Sequence, residues 1–215
     1  MADTKKEHYV PRCYLKNFIG DNEKINVYDK YKMESRSQRI IEVAMENYFY
    51  DIKIDDTMQL IPQEKRAKAK EDIMTLFGVE NWEDINIDKY VEKEFFAKLE
   101  SVYDKVLESV IHKNANLNQW VIENCFCCSE IEKTLLSYFI AVQIIRTKTT
   151  RQTMGDTMEQ LYQTLAYKMQ MNDPDALSKE EFAVSVDKEY VKLEHTNMIL
   201  NEEIILHIAE TLYNN

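Results

Sequence analysis

Apolar positions recur along most of this chain with the spacing of helices. The longest apolar-rich run lies in residues 129–151, where Ile131, Leu135, Phe139, Val142 and Ile145 return every three to four positions. Leu136, Ile140 and Ile144 widen that stripe beyond half the circumference, which predicts a central helix around which the rest packs. Ser129 followed by Glu132 fits a capping box at its start. A second stripe, Val91, Phe95, Leu99, Val102, Val106 and Val110, predicts a helix capped by Asp88 and running to about Ile111, with a break at Asn114 to Asn116. Pro62 and Gly78 bracket a helix over residues 63–77. Residues 153–171 predict another, joined to the central helix through Gly155 either by a kink or without interruption, and stopped at Asp173-Pro174. Ser178 and Glu181 repeat the capping-box pattern, and Asn201 caps a last helix over residues 202–212.

Before residue 60 the spacing shortens to two. Residues 25–29, 39–43 and 48–54 alternate as strands do and predict a small antiparallel sheet or hairpin, covered on one face by helix. Pro11 opens a short helix that puts Tyr14, Leu15 and Phe18 on one side. Residues 1–7 are polar and predicted to fray. With only 3 Gly and 3 Pro in 215 residues, turns are scarce, which argues against a many-stranded sandwich and for long helices. The expected fold is α+β and predominantly helical, a small N-terminal antiparallel sheet packed on a helical bundle. A single domain over 1–215 is expected, with short helix and sheet in 1–60 and the bundle in 61–215.

A formal charge of −11 disfavours sequence-blind binding to nucleic acid, although it leaves room for a local basic patch. No run approaches the ~18 apolar residues of a membrane span, and the N-terminus has no apolar segment of the signal-peptide type. Cys125, Cys127 and Cys128 crowd together and Cys13 stands apart, a pattern that suits reduced thiols in a cytoplasmic protein. With His112 upstream the three could suggest zinc, but there is no second spaced pair. Small buried hydrophobes at a helix start are the expected role. Lys65, Arg66, Lys68 and Lys70 form one basic face, and Arg146, Lys148 and Arg151 another that could contact phosphate. A solvated helix face is the plainer reading of either. No phosphate-binding glycine loop, nucleophile elbow or zinc-protease motif is present, and no cofactor or metal is called for.

The segment H-Y-V-P-R-C-Y-L-K-N-F at residues 8–18 resembles the opening motif H-Y-V-P-x-x-Y-L-x-x-F of a mostly bacterial family, domain of unknown function 4238. V-Y-D-K at 27–30 is similar to the family's first strand, and V-A-M-E-N-Y-F-Y at 43–50 to its V-A-x-E-x-x-F-Y segment. Residues 92–100 resemble its two-glutamate helix. I-A-V-Q-I-I-R-T with Arg151 resembles its Q-x-x-R-T helix, and His195 falls where members carry a histidine. Members continue into a strand-rich portion with an S-D-x-P motif that this chain lacks, so a short form or the front portion is expected.

The resemblance implies candidate positions rather than a reaction. His8, Tyr14, Glu46, Glu100, Gln143, Arg146 and His195 are expected to converge on a polar pocket between the opening motif and the central helix. One reading makes His8 or His195 an acid/base or metal ligand and Arg146 an anion clamp. The other makes them a buried network in which Arg146 pairs with Glu46 or Glu100. The expected function is partner or ligand binding in the cytoplasm, with the resemblance pointing to phage defence or counter-defence. Two alternatives stand beside it. A metal-assisted hydrolase or nuclease would use His8, Glu46 and Glu100, and a structural homo-oligomer would pair through the last helix or that over 153–171.

Overall fold

Two short antiparallel ribbons precede the helices in the computed structural model, which describes residues 6–20, 22–52, 54–59, 61–82, 91–115, 127–170 and 184–215. Strand β1 (Lys6–His8) pairs with β4 (Met45–Asn47), and β2 (Lys24–Asp29) with β3 (Glu34–Arg39). Between them lie a helical turn α1 (Arg12–Leu15) and 3₁₀ turns at Lys16–Phe18 and Ile40–Glu42. The helices are α2 (Ile54–Gln59), α3 (Gln63–Phe77), α4 (Ala97–Asn114), α5 (Glu130–Ile145), α6 (Lys148–Met169), α7 (Lys188–Leu200) and α8 (Glu202–Asn214). The expected α+β, mainly helical class is the observed one. The expected Asp88 cap, Asp173-Pro174 stop, Ser178 capping box and Cys125 lie outside the described residues.

The strands differ from expectation in physically simple ways. The supposedly frayed end supplies β1, in which Glu7 and His8 are buried. The second strand starts at Glu34 and ends at Arg39, because residues 40–42 coil into the 3₁₀ turn. The alternating stretch at residues 48–54 is not a strand. Tyr48 has φ +56°, and Phe49 and Tyr50 are both buried in succession, which an alternating strand with one wet face cannot do. Ala44, at φ +50°, makes the matching bend before β4 and accepts the Tyr9 N–H at 3.0 Å.

The helical stripe feeding α4 also shifts by one residue. Residues Val91–Phe96 make a π-helical turn, so Val91 and Phe96, five apart, are the buried pair and Phe95 is only partly covered. From Phe96 the stripe resumes at ordinary spacing through Leu99, Tyr103, Val106 and Val110, which leaves Val102 and Ile111 exposed.

Helix α5 opens with the expected capping box. Ser129 N donates to Glu132 Oε2 at 2.9 Å, and Glu132 N to Ser129 Oγ at 3.3 Å. Its other oxygen takes Ser109 Oγ and Lys113 Nζ from α4, both at 2.6 Å. Helix α5 packs Ala141, Val142 and Ile145 into the core with Ile199 of α7, Ile205 and Ala209 of α8, and Phe49, Tyr50 and Phe96, and packs Phe139 against Val106 and Val110 of α4. Ile131, Ile140 and Ile144 lie exposed on its other side, so the helix is less fully enclosed than the stripe predicts.

The central helix stops at Ile145 and does not run on to Arg151. Thr147 takes extended backbone (φ −75°, ψ 153°) and its hydroxyl accepts the Thr150 N–H at 3.2 Å, restarting the chain as α6. Gly155 lies within α6 rather than at a junction, and a Cβ there would approach Val191 of α7 to 3.4 Å.

Candidate functional site

The break between α5 and α6 organises the polar groups beneath the N-terminal segment. A helix end leaves its last carbonyls without intrahelical partners. Here Ile144 O accepts Thr150 Oγ1 at 2.6 Å, Ile145 O accepts His195 Nε2–H at 2.8 Å, and Arg146 O accepts Tyr50 O–H at 3.2 Å. Because the helix ends there, Arg146 turns inward and is 1% exposed. Its guanidinium donates to Glu100 Oε1 at 2.9 Å, to the His8 carbonyl and to Tyr50 Oη at 3.3 Å, and stacks 3.8 Å above the Phe96 ring. Burial works against the charge, but Tyr50 and Glu100 outweigh it and hold the group cationic. One turn earlier, Gln143 Nε2 donates to Tyr9 O at 2.6 Å. Gln143 of α5 and Arg146 just past its end thus grip consecutive backbone carbonyls of the opening motif.

A second cation lies alongside. Arg151, from the first turns of α6, sits 3.6 Å over the Phe49 ring and donates from Nε (3.2 Å) and Nη2 (3.1 Å) to His195 Nδ1. With Nε2 bonded to Ile145 O and Nδ1 accepting from Arg151, His195 is fixed as the neutral Nε2–H tautomer. Burial first, then Arg151, push its pKa down to about 4. Burial also lowers Arg151, to about 10.

Three carboxylates face these cations. Glu7 is 0% exposed, and its Oε2 accepts the Tyr50 N–H at 2.5 Å. Burial, then a hydrogen bond to the Asp51 carboxyl, raise its pKa to about 9. At neutral pH Glu7 therefore keeps its proton. Burial raises Glu92, on the π-helical turn, to about 7, with Arg146 opposing and Glu100 and Asp51 adding to the rise. Among the described residues no N–H or hydroxyl donor reaches Glu7 Oε1, Asp51 Oδ1 or Glu92 Oε2, so the Glu7 proton alone links Glu7 to Asp51. Lys192 of α7 feels Asp51 and Glu7, while burial lowers its pKa.

Of the residues expected from the sequence, Gln143, Arg146, Glu100, His195 and the His8 backbone meet in this network. The His8 ring does not join it. Burial and Arg12 lower its pKa, and it lies against the backbone of Ile40 and Ile41. Glu46 is out at the surface, pairing with Lys148 at 2.8 Å, and Tyr14 is exposed, packed on Phe18 at 5.1 Å. So His8, Glu46 and Glu100 do not form one ligand sphere. Among the described residues no group of three His, Cys, Asp or Glu is arranged to hold a metal ion. The expected phosphate cluster is likewise divided, with Arg146 enclosed, Arg151 on His195 and Lys148 on Glu46. The cysteines are not the buried hydrophobes expected. Cys127 is exposed and Cys128 partly so.

Sequence reasoning missed Glu7, Tyr50, Asp51 and the role of Arg151. The signal for them was adjacency. Glu7 directly precedes the opening motif, Tyr50 closes the second one and Asp51 directly follows it.

The network thus joins both motifs, the two-glutamate segment, the Q-x-x-R-T helix and the later histidine. The model of a family described as protein of unknown function, DUF4238, matches residues 6–215. The chain belongs to the DUF4238 family. No curated protein and no solved structure matches it. In this DUF4238 protein no helix among the described residues is long and apolar enough to cross a membrane.

Proposed function

We infer that this DUF4238 protein binds a small cationic ligand, an amine or guanidinium, at the acid-rich edge of the network. The observation that carries this reading is the set of three buried carboxylate oxygens, on Glu7, Asp51 and Glu92, that no N–H or hydroxyl donor of the described residues reaches. Buried acceptors without donors are costly, and a proton on Glu7 relieves only part of that cost. A ligand with several N–H donors relieves the rest and displaces that proton. Arg146 and His195 serve as scaffold, since their polar atoms are already engaged by the chain. A cytoplasmic setting is supported by Cys13 and Cys128, which form no disulfide. The phage-defence or counter-defence setting rests on the family resemblance alone.

Thermal unfolding with putrescine, agmatine and arginine amide, against phosphate and citrate, tests the reading. A cation at ~100 times its Kd adds about 2.7 kcal/mol, or roughly 5–10 °C for a chain of this length. That rise is expected to vanish in Asp51→Asn. Stabilisation by the anions, or a cation effect that survives Asp51→Asn, contradicts it.

Self-association has an observation of its own. Helix α6 contains no buried residue, and Leu161, Leu165 and Met169 follow one another at every fourth position, 54%, 47% and 87% exposed. Light scattering after size exclusion is expected to give twice 25.6 kDa if that stripe pairs copies, and 25.6 kDa if it does not.

A further inference from the structure

The −11 total hides a local reversal of charge. Residues 24–39, the β2–β3 ribbon and its turn, hold five Lys and Arg against two acids. The register sorts them by face. Lys24 opposes Arg39, Asn26 opposes Ser37 and Tyr28 opposes Ser35, and directly opposed residues of an antiparallel pair share a face. All six are exposed. The other face carries Ile25, Gln38, Val27, Arg36, Asp29 and Glu34. It is the face with Ile25 buried and Val27 and Gln38 partly covered. Both acids of the ribbon therefore lie away from the outward face, and Asp29 is occupied in the turn, accepting the N–H groups of Tyr31 (3.0 Å) and Lys32 (3.1 Å). Glu23 and Glu42 sit at its base, beyond the paired residues.

The outward face is thus two cations, an amide, two hydroxyls and a tyrosine, with no carboxylate. None of Lys24, Lys30, Lys32, Arg36 or Arg39 makes an ion pair with the described residues. At the tip Tyr31 is 101% exposed and Met33 stands out at φ +55°. A two-stranded ribbon is only marginally stable by itself, so bare strands of this composition are poorly explained by packing. Their side chains are the types that contact phosphates and base edges, and a two-stranded ribbon fits the ~12 Å major groove of B-DNA. The narrow major groove of duplex RNA does not admit it. Tyr28 is less suited to stacking on a single strand, because its hydroxyl is held on Met33 Sδ at 3.2 Å.

We propose that the outward face of the β2–β3 ribbon docks in the major groove of double-stranded DNA, with Lys24 and Arg39 on phosphates and Asn26, Ser35 and Ser37 toward the bases. The acidic remainder of the chain repels the duplex, so binding is weak, and the ribbon's cation–phosphate contacts make it weaken as salt rises. The test is fluorescence anisotropy of a labelled duplex of about 20 base pairs titrated with the whole chain over a salt series. Wild type is expected to bind, and the double variant Lys24→Gln/Arg39→Gln to lower the logarithmic salt slope by about two. Both side chains are exposed and make no ion pair with the described residues, so the variant is expected to keep the wild-type melting temperature. Lys65→Gln/Lys68→Gln on α3 is expected to leave the slope unchanged. Absence of duplex binding at low salt, an unchanged slope in the ribbon variant, or tighter binding of the single strand would overturn the proposal.

Discussion

Replacing Arg146 by alanine is expected to cost about 3–5 kcal/mol, the range for breaking a buried charge pair. Total stability of such a domain is only about 5–15 kcal/mol. Three groups lose their donor at once: the His8 carbonyl, Glu100 and the Tyr50 hydroxyl. The Phe96 ring also loses the planar group stacked on it. Arg146→Lys is expected to recover little, because an ammonium cannot reach three partners or lie flat on the ring. Urea unfolding measures both variants. A loss below about 1 kcal/mol, the level of an exposed ion pair, would mean that the network does not hold the N-terminal segment in place.

The second large effect is a dependence on pH. Glu7 is raised from 4.5 to about 9, so the folded chain keeps a proton across that interval that the unfolded chain has released. Its contribution is fully present below pH 4.5 and is lost as pH rises through 9, at about 1.4 kcal/mol per pH unit. Glu92 acts in the same sense between 4.5 and about 7. His195 has the opposite sign, because its folded pKa of about 4 lies below the ordinary 6.5. Its contribution is present above 6.5 and is lost as pH falls toward 4. Between pH 7 and 9 these two are flat and Glu7 stands alone among them. Over that window wild type is expected to lose about 3 kcal/mol, or roughly 6–11 °C in melting temperature. Glu7→Gln is expected to abolish that slope and to melt higher than wild type at pH 8. Its amide reproduces the protonated acid, with a carbonyl for the Tyr50 N–H and an N–H for Asp51. A slope that persists in Glu7→Gln would assign it to other groups.

How far the sequence could be read follows from what each residue contributes. Helices marked by caps were legible. Ser129 with Glu132, Asn201 and Gly78 each stand where their side chain or positive φ requires. Elements set by local backbone choices were not. The positive φ of Tyr48 and the π-helical turn at Val91–Phe96 leave no periodic trace, and each moves a run of side chains to a different face. The site divides in the same way. Arg146, Gln143, Glu100 and His195 act through side chains in recognisable motifs, and they meet. His8 acts through its carbonyl, a role any residue type could fill, so its ring misled the reading. Glu7 reads as part of a fraying tail because the polar run of residues 3–7 looks solvated, and only the pairing of β1 with β4 encloses it.

The Glu7 proton is open to direct observation. Carbon-13 NMR of the protein labelled at glutamate side-chain carboxyls, with the Glu7 signal assigned by its loss in Glu7→Gln, gives the titration midpoint of that single group. A midpoint near 9 is expected for a carboxyl enclosed against Asp51 beneath the opening segment. A midpoint near 4.5 would mean that Glu7 is solvated and that the acid-rich edge, with the cationic ligand assigned to it, is not formed.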